Sequence, residues 1–162
     1  MLFERVPVKI SDPIYDIISE KVYKSYPNAC ICFIDRINNS NLQAIYDHSK
    51  SGMTEYTEYE LFHGTKANLI DTIANNGFDP DKNVVSAYGK GTYFARDARY
   101  SSHYMKTPDK IGLSYMFYAT ILVGEFGKDT LCDNPKSPSI FVATKFEQTY
   151  PGYIIAFDKN AK

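Results

Sequence analysis

The chain of 162 residues has no tryptophan, only three cysteines and three histidines, and no excess of either charge, with 18 Lys and Arg against 19 Asp and Glu. Each shortage excludes something. Balanced charge creates no global field toward nucleic acid or an anionic membrane, so any partner must be recognised locally. Cys30, Cys32 and Cys132 form an odd set without metal-ligand spacing, and no charged, apolar, small-residue leader precedes them. That pattern fits a reducing interior, cytoplasmic or nuclear. His48, His63 and His103 have no cysteine or carboxylate at ligand spacing, so no metal is expected. The longest apolar run, Tyr115 to Gly124, is about half of what a membrane-spanning helix needs and reads as a buried strand, with no membrane role.

What the chain does have is aromatic side chains, 14 Tyr and 10 Phe. Its length suits one domain, residues 1–162, able to bury roughly 70% of the surface of the unfolded chain. Asp12 and Pro13 open a helix whose Ile14, Ile17, Ile18 and Val22 share a face, and which ends at Pro27. Ala29 to Ile37 reads as a strand with Cys30 and Cys32 on one buried face, and Ser40 as the cap of a second helix. A polar loop is expected over His48 to Glu55, then a strand at Tyr59 to Gly64 and a helix carrying Leu69, Ile70 and Ile73 inward, stopped by Gly77. Thr92 to Ala95 forms a short strand, Asp97 caps a helix to about Met105, and strands follow near 111–124, 140–144 and 153–158. The whole predicts an α+β fold with a largely antiparallel sheet.

The chemistry concentrates in "YGKGTYFARDARYSSHYM", residues 88–105. Gly89 and Gly91 let backbone approach a ligand closely. Ser101 and Tyr104, three apart, project from one helix face and offer a hydroxyl and a flat ring, a pair suited to a planar carboxamide. Upstream, His63, Gly64 and Thr65 present donors and acceptors suited to ribose hydroxyls and an amide. Arg96 and Arg99 read as a solvated helix end, with contact to a phosphate-bearing acceptor as the alternative.

Three motifs, "LFHGT" at 61–65, "GKGTYFA" at 89–95 with "YSSHY" just after it, and "SIFVATKFEQTYPGYIIAF" at 139–157, resemble in order and spacing the catalytic domain of the poly(ADP-ribose) polymerase (PARP) family, closest to its mono-ADP-ribosyltransferase branch. Residues 27–42 are similar to the opening of that domain. The resemblance implies a split, mostly antiparallel β-sheet with flanking helices around a cleft for NAD+ as co-substrate, with no metal. It also implies roles. His63 would bond the adenosine ribose, Gly64 the nicotinamide carboxamide through its backbone, and Thr65 would assist on the adenosine side. Tyr93 and Tyr104 would sandwich the nicotinamide, and Ser101 would bond its amide oxygen.

The family's polymerising members carry a glutamate at the position that falls on Ile140, so the triad reads His63, Tyr93, Ile140. A carboxylate there would favour the oxocarbenium-like transition state and activate the next hydroxyl. Isoleucine does neither, which implies transfer of a single ADP-ribose, with the acceptor either supplying its own negative charge or being deprotonated by a group that the motifs do not reveal. Glu125 and Glu147 are nearby alternatives, Glu147 being expected on the surface. The loops 78–88 and 125–139 correspond to the donor and acceptor sides of the cleft, and the family's helical regulatory domain has no counterpart. The acceptor would be a protein side chain or a nucleic-acid end, and the molecule is expected to act as a monomer. Two other functions compete: an NAD-binding or interaction module without catalysis, and RNA 2′-phosphotransfer. The latter would need Arg and His residues that do not accompany the His-Tyr-Ile pattern.

Overall fold

The computed structural model describes residues 2–82 and 87–159. Eight strands form one sheet in the order β1-β2-β8-β5-β3-β4-β7-β6, every neighbouring pair antiparallel. In chain order they are β1 (Glu4–Pro7), β2 (Ile31–Asn38), β3 (Thr57–Thr65), β4 (Thr92–Ala95), β5 (Leu113–Val123), β6 (Thr130–Cys132), β7 (Ile140–Ala143) and β8 (Thr149–Asp158). The helices are α1 (Pro13–Ser25), α2 (Ser40–Ser51), α3 (Ile70–Asn76) and α4 (Ala98–Ser102).

β5 explains the long apolar run. It lies between β3 and β8, so both of its edges are paired, and its side chains alternate between two buried faces. Tyr115, Phe117, Ala119, Ile121 and Val123 face the core that includes Ile70 and Ala74 of α3. Met116 and Tyr118 face Ile18 and Val22 of α1 and Ala98 of α4. Helices therefore cover both faces.

The sheet is nearly divided in its middle. β3 and β4 are joined by a single register pair, Phe62↔Ala95, beyond which they part. The split that the family resemblance implies corresponds to this parting, and the three strands β4, β7 and β6 lie on its far side.

Local expectations are corrected at several points. Asn39, not Ser40, caps α2: its side chain accepts from Leu42 N at 3.0 Å while its amide donates to the Ala74 and Asn75 carbonyls at 2.8 and 3.1 Å. These contacts across the fold select it from a run of possible caps. α2 continues through Ser51 because nothing before Gly52 breaks it, so half of the expected loop at 48–55 is helical. A register shift between Ile31 and Phe33 displaces Cys32 from the ladder, leaving it exposed and Cys30 half-buried rather than both in the core. Ile17 and Leu69 are exposed and Ile73 is only half-buried. α4 stops at Ser102, so Tyr104 lies beyond it, and Asp97 occupies the cap position without a side-chain bond. β1 and β6 were not predicted.

Asn39 is 1% exposed and bonds three backbone groups. Asn39→Ala leaves the Leu42 N–H and two carbonyls without these partners, and an unmade buried bond costs more than a made one contributes. Chemical denaturation is expected to show a loss of about 2–4 kcal/mol, toward the upper end of single substitutions.

Candidate active site

A cavity of about 930 Å³ opens where β3 and β4 part. β3 brings His63, Gly64 and Thr65 to it, β4 brings Thr92 and Tyr93, and α4 with the turn after it brings Tyr100, Ser101 and Tyr104. Six of the seven predicted residues thus line one cavity. Ile140, the seventh, does not. It pairs with Ala95 and lies 9% exposed in a cluster with Tyr93 and Val142, against which Tyr100 and Leu131 pack.

His63 bridges the gap where the backbone ladder stops. Its Nδ1 lies 2.7 Å from the Tyr93 carbonyl. A carbonyl only accepts, so Nδ1 carries the hydrogen, and in the neutral ring Nε2 is left as an acceptor. Burial holds the imidazole below its ordinary value of 6.5, against an opposing contribution from the bond to Tyr93, which favours the neutral ring. Phe78 and Phe94 fix the ring, their centroids 5.0 and 5.4 Å away. Phe78, which no sequence signal marked, also meets Phe94 and Phe117 edge-on.

Gly64 is required for packing. A Cβ on it would fall onto the Ser101 carbonyl oxygen and come within 3.2 Å of the Tyr104 Cβ. The backbones of β3 and α4 therefore approach as closely as a hydrogen atom allows, placing Ser101, 2% exposed, beside the Gly64 backbone. The glycine run before β4 folds around a hydroxyl: Tyr93 Oη accepts from Tyr88 N at 2.9 Å and donates to the Gly89 carbonyl at 2.6 Å. Gly89 has φ of +115°, a conformation that favours glycine. These two bonds lock the Tyr93 ring against the turn before β4.

In the loop expected on the acceptor side, Asp129 accepts from Gly124 N, Glu125 N and Thr130 Oγ1, and a second carboxylate holds the end that leads into β7. Asp133 accepts from Ser139 N at 3.0 Å, Ser139 Oγ at 2.5 Å, Ile140 N at 3.1 Å and Asn134 N at 2.9 Å, fixing the approach to Ile140. Arg96 and Arg99 are occupied elsewhere, donating to the Pro138 and Ser25 carbonyls at 3.0 and 2.8 Å. Glu125 pairs with Lys128 at 3.0 Å. Glu147, expected on the surface, is half-buried and lines the cavity. Of the expected donor-side loop, residues 83–86 lie outside the described residues. Among the described residues no group of three or more His, Cys, Asp or Glu could hold a metal, and no helix is long and apolar enough to cross a membrane. A second cavity, about 690 Å³, lies against α2 and includes none of the predicted binding residues.

Tyr100 was not singled out from the sequence, although its i,i+4 spacing to Tyr104 was there to be read. The two hydroxyls are 3.2 Å apart and the rings 5.5 Å.

Comparison with known proteins agrees with the motifs. The chain is 31% identical over 187 residues to the protein mono-ADP-ribosyltransferase PARP12 of Mus musculus, covering 99% of this chain and 26% of that protein. It is 35% identical over 179 residues to the protein mono-ADP-ribosyltransferase PARP14 of Homo sapiens, covering 92% of this chain and 10% of that one. It is 27% identical over 200 residues to the protein mono-ADP-ribosyltransferase PARP11 of Homo sapiens, covering 96% and 59%. The chain thus spans about a quarter or less of the first two of these relatives and about three-fifths of the third. Residues 15–149 match the family model for the poly(ADP-ribose) polymerase catalytic domain. With that match running through the parted strands, the half-buried histidine and the glycine pressed against α4, the chain belongs to the PARP catalytic domain family.

Proposed function

We propose that this domain binds NAD+ in the cavity between β3 and β4 and transfers one ADP-ribose to an acceptor, releasing nicotinamide. The observation that carries this reading is the fixed tautomer of His63. Its neutral Nε2 is an acceptor for a ribose hydroxyl, held in place by the Tyr93 carbonyl on the opposite strand. The residues fit the rest of the molecule. Gly64 leaves its backbone open to a carboxamide, Ser101 adds a hydroxyl beside it, and Tyr93 and Tyr104 supply flat faces in the same cavity. Thr65 serves the adenosine side. The bond that breaks belongs to NAD+. The chain contributes orientation, an apolar wall at Phe78 backed by Phe94, and a fixed hydrogen-bond frame. The three relatives compared above are named mono-ADP-ribosyltransferases, which supports single transfer.

Ile140 supports it too. Its side chain lies in a cluster without a charged side chain, the Asp133 carboxylate being engaged by backbone N–H groups and Ser139, so the acceptor brings its own charge, as a carboxylate or a phosphate does. Incubation with labelled NAD+ and candidate acceptors is expected to give one discrete labelled band. Ile140→Glu is expected to give no ladder and to unfold more readily, because its carboxylate would lie among Tyr93, Val142, Tyr100 and Leu131. A ladder from the unmodified protein would overturn the reading of Ile140. Tight NAD+ binding without any labelled product would favour a binding module.

A further inference from the structure

Tyr100 lines the cavity and touches residues on both sides of it. On one side its ring packs against Tyr93, Ile140 and Val142. On the other its hydroxyl meets that of Tyr104 at 3.2 Å, and the rings lie 5.5 Å apart at 50°. Tyr104 has weak support of its own. It lies two residues beyond the end of α4 and is 38% exposed, so its ring would otherwise sample several rotamers. Tyr100, by contrast, is anchored by apolar packing, and a flexible ring bonded to an anchored one loses that freedom before a ligand arrives.

We propose that Tyr100 is the positioning residue of the nicotinamide slot, holding the ring of Tyr104 opposite Tyr93 through the pair of hydroxyls and so setting the affinity for a planar aromatic carboxamide. This rests on reading the cavity as the NAD+ site. It also gives Ile140 a physical role: an aliphatic side chain is part of the apolar seat for the Tyr100 ring.

The test compares two probes, nicotinamide and ADP-ribose, by calorimetry on the whole domain. Tyr100→Phe keeps the ring and removes the hydroxyl, and is expected to weaken nicotinamide about 3- to 10-fold, the range of one neutral hydrogen bond. ADP-ribose has no nicotinamide, and its affinity is expected to stay the same. Tyr104→Phe breaks the same bond from the other side and is expected to show the same loss. The double variant is expected to lose no more than either single one, since the two act through a shared bond. Unchanged nicotinamide binding in Tyr100→Phe, losses that add in the double variant, or an equal loss of ADP-ribose would overturn the proposal. Should Tyr100→Phe fold poorly, Tyr104→Phe at the exposed position carries the same expectation. An unmodified protein that binds ADP-ribose, nicotinamide and NAD+ not at all would overturn the NAD+ reading itself, a different result from a neutral Tyr100→Phe.

Discussion

Gly64→Ala is expected to weaken NAD+ binding roughly 100-fold and to cost about 1–3 kcal/mol of stability, the range for overpacking a tight site. The added methyl would meet the Ser101 carbonyl, a backbone atom that no rotamer change can move. α4 must then shift away from β3, carrying Ser101 and Tyr104 with it. Two hydrogen bonds to the carboxamide would be misplaced together, and at about 1.4 kcal/mol per tenfold their combined loss is of the stated size. Calorimetry with NAD+ and a denaturant titration measure the two effects. Gly52→Ala serves as the comparison: its nearest neighbour is an ordinary 3.6 Å away and its φ is negative, so alanine fits. That variant is expected to be neutral or slightly stabilised. Equal behaviour of the two would show that the approach of α4 to β3 is not what forms the slot.

His63→Ala is expected to lower ADP-ribosyl transfer at least about 100-fold, since it removes both the proposed hydrogen-bond acceptor for ribose and the link to β4. His63→Phe separates these from packing: it retains a ring between Phe78 and Phe94 but neither nitrogen, and should be as inactive while staying closer to native stability. The pH dependence follows from the same burial. The imidazole titrates below 6.5 in the folded protein and near 6.5 in the unfolded chain. Between those two points the unfolded chain binds more protons. Stability attributable to His63 is therefore intact above 6.5 and is lost as the pH falls toward the folded value. NAD+ affinity is expected to remain level through the ordinary histidine range and to decline only below it. A decline centred at 6.5 would mean that the ring is solvated.

The motifs were legible because their chemistry leaves few substitutes: a histidine followed by a glycine, glycines around a tyrosine, and a serine three residues from another tyrosine. β5 was legible from its unbroken apolar run. β1 and β6 were not, being four- and three-residue strands with little periodicity to read. The cap of α2 was ambiguous in "NNSN", residues 38–41, and was settled only by the carbonyls of α3 that Asn39 reaches. Phe78 and Tyr100 escaped notice for a related reason. Their importance comes from what lies beside them in space, the imidazole of His63 and the hydroxyl of Tyr104.

A sheet that parts in its middle acquires two inner edges, and an unpaired strand edge invites addition of a foreign strand and so aggregation. A guest strand needs about 4.8 Å of separation to join a ladder. Here the Gly64 backbone is pressed against the Ser101 carbonyl, and the His63 ring spans the opening to Tyr93. These two contacts occupy the space that a guest strand would need at the inner edges while leaving depth for a small molecule.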